Sequence, residues 1–496
     1  LDGFSPDSFD WSGLLGTHVL LIRKAGRLYV ATDGLGACKL YHNAERTLWS
    51  NSFLAMCELE RPRRLDPQAC YEYVFNGSIF GRRTLAQEIR ALPANSILAV
   101  GESLEVIQRP GPVVEEETAR GAGLDEIADR HIAQLDQVFG PIADCYGDRV
   151  RLSFSGGFDS RLMLAMLLRH GVRPTLFVYG DSEDEDVRIA RLICAAEGLE
   201  LECIDKHTAP PEPDAFPELV EQDLVAFDGW KVEQGLFDFG VDRLDRQRRH
   251  VDGQVPLNGS LGEIYRNFFY MPDRPASTGA VISTFYSRYD PQSLTGRFDE
   301  HRYRAAMAES MREALGADGD ALRRDQVEAL YPRFRGRFWT GRDAQINQRF
   351  GTMFFPYLEP AAISNTARIP IRHKDLGRLQ GRMIGRVNRR LGDYPSDYGF
   401  QLDGQRPLAY RIKSLISTQR PAALRKLSFR LQCRQPEPRP PGLTRPYLER
   451  VINPDFPVMR GLFHPERVYS AQQFALMAAI EYLARRFDMD LPAPGE

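Results

Sequence analysis

The chain has 496 residues, too many for one ordinary hydrophobic core, so two or three domains are expected. Hydrophobic residues make up 43% and charged residues 26%, as in globular proteins, and a net charge of −3 gives no reason to expect a nucleic acid partner. No apolar run approaches the length of a membrane span, so no membrane partner is expected.

Seven cysteines are scattered along the chain without a CxxC pair. An odd number at irregular spacing argues against a disulfide framework or a zinc site. The pattern favours buried, reduced thiols in a cytoplasmic protein. The chain starts at Leu1 rather than at a methionine, so its natural N terminus, and a leader with it, can lie upstream.

Residues 1–120 predict a small, β-rich domain because short apolar runs alternate with turn residues. The predicted elements are strands over 18–22, 28–31 and 97–100 and a helix over 67–75. The turn Asp33-Gly-Leu-Gly36 leads into a further apolar segment.

Residues 121–430 predict an α/β domain in which short buried strands alternate with helices. The strands are expected at 150–154, 176–179, 201–204 and 255–258, and helices within 121–148, up to 168 and over 186–197. Such alternation is typical of a parallel sheet with both faces covered. A helical extension is expected over 431–496, and residues 434–441 within it are expected to form an exposed, proline-rich connector.

The segment Ser155-Gly-Gly-Phe-Asp-Ser160 lies at the end of the first of these strands, where α/β sheets bind ligands. Gly156 and Gly157 let the backbone bend and approach a ligand, and Ser160 is a suitable helix N-cap. The following helix N–H groups favour an anion, and the Asp159 carboxylate fits a phosphate pocket only with Mg²⁺ between them. The pattern predicts a loop that grips the pyrophosphate of ATP; the alternative is an ordinary capped turn.

A second glycine loop follows the strand at 255–258. It reads Gly259-Ser-Leu-Gly-Glu263 and therefore places a carboxylate after another strand end. On its own this is more typical of a plain strand-to-helix turn. Its place about a hundred residues after the first loop favours a role in the same site.

The loop at 155–160 resembles the PP-loop of ATP pyrophosphatases, and the order of motifs resembles the asparagine synthetase superfamily, which includes β-lactam synthetases and lasso-peptide cyclases. Segments 31–41 and 355–359 also carry the resemblance, which covers residues 14–487. It implies a PP-loop synthetase domain at 121–430, extended by 431–496. The domain at 1–120 is similar to a glutamine amidotransferase domain, but the family's cysteine nucleophile has no counterpart in this chain.

The resemblance implies an ATP site with magnesium. The loop residues that would hold ATP are Ser155, Gly156, Gly157, Asp159, Ser160 and Gly259, with Val178 where the family packs adenine. Asp159 and Glu263 would bind Mg²⁺.

The catalytic positions depart from the family pattern. Ser260 stands where the family keeps its proton-handling glutamate or tyrosine, and a serine hydroxyl is a poor base. The family's late lysine is matched by Asp397, so Lys374, Lys413 or Arg411 is expected to replace it. Lys374 is the preferred candidate.

The resemblance implies an ATP-dependent ligase that adenylates a small-molecule or peptide carboxylate and joins it to an internal or peptide amine. Such enzymes usually serve specialised biosynthesis, so a biosynthetic partner protein is a further candidate. Two alternatives stay open: amidation with ammonia, as in asparagine synthetase, and a nucleotide-binding partner protein without catalysis.

Overall fold

The computed structural model describes residues 4–6, 9, 11–109, 113, 121–205, 209–231, 235–250 and 253–493. These residues form a mixed α/β protein with one four-stranded parallel sheet and three antiparallel sheets. The domain boundary predicted at residue 120 lies outside the described residues.

The N-terminal region contains two antiparallel sheets and two helices. The predicted strands at 18–22, 28–31 and 97–100 and the helix at 67–75 are confirmed, whereas the helix at 53–60 was not predicted. The strands are β1 Val19–Lys24, β2 Arg27–Thr32, β3 Tyr41–Asn43, β4 Trp49–Ser50, β5 Ile89–Ala91, β6 Ser96–Val100 and β7 Leu104–Gln108, and the helices are α1 Phe53–Glu60 and α2 Pro67–Asn76. One sheet has the order β1-β2-β6-β7 and the other β4-β3-β5. The Asp66 side chain caps α2, which ends at Gly77 in the left-handed conformation.

The Asp33–Gly36 turn is held by its own aspartate. The Asp33 carboxylate accepts hydrogen bonds from the backbone N–H groups of Ala37 (2.9 Å) and Cys38 (2.7 Å). The buried Lys39 ammonium donates to the carbonyl oxygens of Ala37 (3.0 Å) and Arg337 (2.8 Å). This turn therefore links the N-terminal sheets to a segment three hundred residues further along the chain.

The parallel sheet has the order β10-β9-β8-β11. Its strands are β8 Val150–Ser153, β9 Thr175–Tyr179, β10 Leu201–Ile204 and β11 Val255–Leu257; the helices around them are α3 Leu124–Tyr146, α4 Phe158–Arg169 and α5 Glu185–Glu197. The predicted strands and helices of this region are all confirmed, each within a few residues. The carboxyl ends of β8 and β11, neighbours in the sheet, bring the two glycine loops to the same edge.

The rest of the described chain is largely helical. The helices are α6 Phe216–Ala226, α7 Val241–Arg249, α8 Thr278–Phe285, α9 Glu300–Leu315, α10 Arg324–Leu330, α11 Gly341–Asn347, α12 Pro360–Ile363, α13 Ile371–Lys374, α14 Arg378–Val387, α15 Arg389–Asp393, α16 Leu408–Gln419, α17 Ala422–Gln432, α18 Arg445–Leu448 and α19 Ala471–Phe487. A π-helix spans Tyr331–Thr340, and a small antiparallel pair is formed by β12 Ala276–Ser277 and β13 Ala321–Leu322. The proline-rich segment at 434–441 is mostly exposed, as predicted.

One hydrophobic cluster runs through the N-terminal helices, the parallel sheet and the C-terminal helix, and includes Tyr73, Leu152 and Ile480, all fully buried. A smaller cluster of Val30, Leu40, Leu92 and Leu98 lies at the N-terminal sheets. The N-terminal and C-terminal regions therefore pack against the parallel sheet in a shared core.

All seven cysteines are free, but the expectation that they are buried holds for four of them. Cys145 and Cys203 are exposed, whereas burial raises the pKa of the Cys38 and Cys194 thiols to about 12. None of the helices in the described part of the chain combines the length and apolar character that crossing a bilayer requires.

Candidate functional site

The loop between β8 and α4 requires its glycines. Gly156 has φ +74°, and a Cβ atom there would lie 2.6 Å from the Ile189 Cγ2 atom. Gly157 has an extended backbone and is the N-cap of α4, which begins at Phe158. The prediction that Ser160 caps this helix is wrong, because the chain turns into the helix three residues earlier and leaves Ser160 within the first turn.

Hydrogen-bond donors converge at the N terminus of α4. The first N–H groups of a helix have no acceptor within it and carry partial positive charge, so they favour a bound anion. The Ser160 hydroxyl is buried and has no hydrogen-bond partner among the described residues, and the Ser155 hydroxyl accepts a hydrogen bond from the Gly157 N–H at 3.4 Å. These groups make the loop a suitable cradle for phosphate oxygens.

The Asp159 carboxylate lies beside this cradle and is held by two side chains. Its Oδ1 accepts a hydrogen bond from the Gln380 amide and its Oδ2 one from the Arg266 guanidinium, each at 2.7 Å. Burial raises the pKa of Asp159 to about 6, an effect that Arg266 opposes and Glu263 reinforces.

Glu263 lies in a single 3₁₀ turn, Gly262–Tyr265, directly after the second glycine loop. Its Oε1 is 3.4 Å from the same Arg266 nitrogen, and its Oε2 accepts a hydrogen bond from the Tyr331 hydroxyl at 2.7 Å. The two carboxylates that the sequence assigns to magnesium therefore share one guanidinium.

Glycines of the second loop allow this close approach. A Cβ atom at Gly262 would overlap the Asp159 carboxylate, and one at Gly259 would lie 3.4 Å from the Asp159 Cβ atom. The loop from β11 therefore packs directly against Asp159. Any side chain at position 262 would push the two carboxylates apart.

The donor set fits Mg²⁺. No cluster of three acidic, histidine or cysteine side chains suited to a metal occurs among the described residues. Magnesium in nucleotide sites is commonly held by one or two carboxylates, with phosphate oxygens and water completing the shell. Asp159 and Glu263 supply two carboxylates of that kind beside a phosphate cradle.

Arg266 balances this acidic pair. Burial lowers its pKa, but the neighbouring Asp159 and Glu263 carboxylates outweigh that effect and raise the pKa above the usual arginine value. Its guanidinium also lies 5.4 Å from the centre of the Phe158 ring. Arg266 is thus a permanent cation at the point where two acidic groups and the helix N terminus meet.

Two of the predicted residues sit in unremarkable surroundings. The Ser260 N–H donates to the Asn258 side chain at 2.8 Å, and no base among the described residues is hydrogen-bonded to the Ser260 hydroxyl. Val178 is buried in the middle of β9, with 3% of its surface exposed.

The structure places the candidate cations differently from one another. Lys374 is 2% exposed, and its ammonium donates to the Glu328 carboxylate at 2.5 Å, so it belongs to a buried ion pair and is not a solvated charge. Arg411 and Lys413 lie exposed on α16, and Lys413 lines a cavity that also contacts Glu263.

Arg161 connects the segment that carries Asp397 to the glycine loop at 155–160. This arginine is fully buried, and its guanidinium donates to the carbonyl oxygens of Gly156 (2.5 Å), Tyr394 (2.9 Å) and Pro395 (2.7 Å). Burial raises the pKa of Asp397, and the charges of Arg161 and Arg266 act in the opposite direction. Asp397 therefore lies near the cations of the site, although it cannot supply the positive charge of a lysine.

A cavity of about 650 Å³ opens beside Glu263 and Arg266. Its lining is aromatic and cationic and includes Arg266, Phe268, Phe285, Arg288, Tyr398, Lys413 and Phe429. From the sequence, we expect residues 206–250 and 264–340 to line the substrate pocket. Residues 266–288 do form one wall of this cavity. The other wall comes from Tyr398 and from helices α16 and α17.

Three side chains of this site are absent from the sequence-based prediction: Arg161, Arg266 and Gln380. Arg266 lies three residues after Glu263, which is the spacing of one 3₁₀ turn, so its position beside that carboxylate could have been predicted. Arg161 follows Ser160 directly but looks like an ordinary surface residue of a helix. Gln380 gives no signal at all, since it lies 221 residues from Asp159.

Comparison with known proteins identifies no relative in sequence: no protein-family profile and no curated protein matches the chain. Among solved structures, NMN synthetase from Francisella tularensis is similar over 29% of this chain, with 14% sequence identity and a TM-score of 0.20. The match spans 57% of that enzyme's chain. At this TM-score the similarity says nothing about activity.

Proposed function

We propose that this protein is an ATP-dependent, AMP-forming amide ligase. The observation that carries the proposal is the convergence of Asp159 and Glu263 on the N terminus of α4, beside a glycine loop that only glycine can form. An acidic pair next to an anion cradle has little purpose unless a cation and a polyphosphate occupy the space between them.

The proposed reaction has two steps. A substrate carboxylate oxygen attacks the α-phosphorus of ATP, the bond from that phosphorus to the bridging oxygen breaks, and pyrophosphate leaves. An amine nitrogen then attacks the acyl carbon, the bond from carbon to the AMP oxygen breaks, and the amine gives up a proton. Adenylation is needed because a carboxylate has no adequate leaving group of its own.

The residues of the site have separate tasks in this scheme. The N–H groups at the start of α4 and the Ser155 and Ser160 hydroxyls would bind the β- and γ-phosphates. Arg266 would stabilise negative charge that develops as pyrophosphate departs. Asp159 and Glu263 would hold Mg²⁺, which neutralises phosphate charge when bound.

The adjoining cavity supports an amine larger than ammonia. A volume of about 650 Å³ is that of a site for a drug-sized molecule or a short peptide. Aromatic walls suit an apolar body, and cations such as Arg288 and Lys413 suit a carboxylate. We therefore favour an internal amine or a peptide amine, as in β-lactam synthetases and lasso-peptide cyclases, over amidation with free ammonia.

A second candidate is a nucleotide-binding partner protein without catalysis. It is favoured by Ser260, which shows no paired base, and by Lys374, whose charge is already matched by Glu328. The two candidates predict the same nucleotide binding and differ in turnover alone.

Pyrophosphate release separates them. The protein is incubated with ATP, Mg²⁺ and a panel of amino acids, dicarboxylic acids and short peptides, and released pyrophosphate is measured against the Asp159→Asn variant. The ligase proposal predicts release that depends on one class of carboxylate and is absent from the variant. Tight ATP binding with no release across the panel favours the non-catalytic alternative.

A further inference from the structure

Helices α16 and α17 project apolar side chains into solvent. Among the described residues, seventeen large apolar side chains are at least about a third exposed, and seven of them lie in these two helices. They are Leu408, Ile412, Leu415, Ile416, Leu424, Leu427 and Leu431, with exposed fractions from 49% to 68%. Thr418 is the one buried residue of α16, and α17 has none within its described length. The seven aliphatic side chains named above therefore lie outside the core, whereas Tyr410 of α16 packs against it.

The exposed side chains form a stripe on each helix. At 3.6 residues per turn, Leu408, Ile412, Leu415 and Ile416 fall within an arc of about 100°. Arg411 and Lys413 lie on either side of that arc. Both side chains are exposed and have no hydrogen-bond or ion-pair partner among the described residues.

The second helix is oriented by ion pairs on its inner side. Lys426 pairs with Glu300 of α9, and Arg430 pairs with the same carboxylate at 2.9 Å. Lys426 and Arg430 point towards α9, and Leu427 and Leu431, each the next residue and so about 100° further round α17, are exposed. The exposure of these leucines thus follows from how the helix is anchored.

The hairpin is strongly basic in a chain whose net charge is −3. Residues 404–436 contain eight lysine and arginine residues and no aspartate or glutamate. An aliphatic stripe flanked by free cations, in a segment without an acidic residue of its own, is the pattern of a helix that lies in the interface of an anionic bilayer. A second copy of the same face is a poor fit, because it would bring like charges together.

We propose that the α16–α17 hairpin docks this protein on anionic lipid surfaces. The aliphatic stripe enters the boundary between headgroups and acyl chains, and Arg411 contacts lipid phosphates. The expectation of no membrane partner came from the search for a spanning segment, which does not detect helices that lie flat on a bilayer. This proposal does not depend on the proposed ligase activity.

Vesicle flotation of the full chain tests it. Vesicles of phosphatidylcholine alone are compared with vesicles that also contain phosphatidylglycerol, at low and high salt. We expect binding that requires phosphatidylglycerol and weakens with salt. The Ile412→Ser/Leu415→Ser variant should bind at least roughly tenfold more weakly, since it removes two apolar contacts.

The control variant is Leu21→Ser/Leu59→Ser, which alters two side chains that are 66% and 65% exposed elsewhere on the molecule. It should bind vesicles like the wild type. Absence of binding to phosphatidylglycerol vesicles, or equal binding by the two variants, overturns the proposal. The proposal is also overturned if sedimentation velocity shows a wild-type dimer that the Ile412→Ser/Leu415→Ser variant does not form, because a second copy would then cover the hairpin.

Discussion

The Arg266 guanidinium and the Asp159 carboxylate form an ion pair at 2.7 Å, and the same guanidinium nitrogen lies 3.4 Å from Glu263. Because Arg266 neutralises part of the charge of these two acidic side chains, the site can also accept the more strongly negative triphosphate of the proposed ATP. Arg266 is thereby available both to neutralise the carboxylates and to face phosphate.

We predict that Arg266→Gln lowers pyrophosphate release roughly 100-fold, because a positioned cation opposite developing charge is lost. Steady-state release of pyrophosphate under saturating ATP measures the effect. Arg27→Gln is the matched control: it removes a surface arginine that pairs with Glu105, and it should leave the rate unchanged. A rate in Arg266→Gln close to that of the wild type would exclude Arg266 from the reaction.

Gly156→Ala should destabilise the protein by on the order of 2 kcal/mol, because alanine resists a positive φ and its Cβ atom would collide with Ile189. Urea denaturation measures the change. Gly296→Ala introduces a Cβ atom with no heavy atom within 4 Å and should be nearly neutral. Equal stability of both variants would show that the loop can relax without its left-handed glycine.

Lys374→Ala separates a structural role from a catalytic one. Removing the ammonium leaves the buried Glu328 with Arg324 as a partner, 2.7 Å away, and should cost about 3 kcal/mol of stability. Restored stability in Lys374→Met/Glu328→Gln would confirm the ion pair as the cause. Pyrophosphate release is then measured on the folded variants. Loss of release in both variants supports Lys374 as the lysine of the active site, whereas unchanged release excludes Lys374 and leaves Lys413 as the candidate.

Glu359 should make stability depend on pH. Burial raises the pKa of Glu359 to about 8, although its carboxylate accepts the Gly16 N–H at 3.0 Å. Between its ordinary pKa of about 4.3 and about 8, the folded protein holds a proton that the unfolded chain releases, so stability falls as pH rises. Glu359→Gln keeps the acceptor and has no proton to lose.

The measurement is the free energy of unfolding of both proteins from about pH 5 to about pH 8. The difference in stability between Glu359→Gln and the wild type should grow in favour of the variant across this range. Parallel curves would show that Glu359 is ionised in the folded protein.

The parallel sheet could be predicted from the sequence because its signals are local. Leu152, Phe177 and Ile204 belong to short apolar runs, each bounded by turn residues, and such runs read as buried strands without tertiary information. The glycine loop at 155–160 could be predicted for the same reason, since all its residues are adjacent. The cap of α4 was misplaced because Gly157 and Ser160 are both acceptable caps, and the turn out of β8 selects the earlier one.

The remainder of the site depends on contacts between distant segments. Gln380, for example, is 221 residues from Asp159. The wall of the cavity formed by α16 and α17 follows from ion pairs such as Arg430 to Glu300, which no sequence period encodes. These parts are set by packing, so one sequence could not reveal them.

Binding of Mg²⁺ and a non-hydrolysable ATP analogue, followed by thermal unfolding of the wild type and Asp159→Asn, tests the central claim most directly. At a hundredfold excess over the dissociation constant, the ligand should stabilise the wild type by about 2.7 kcal/mol. The variant retains the Gln380 contact and should lose most of this stabilisation. No stabilisation of the wild type, or the same stabilisation of both proteins, would contradict a nucleotide site at Asp159.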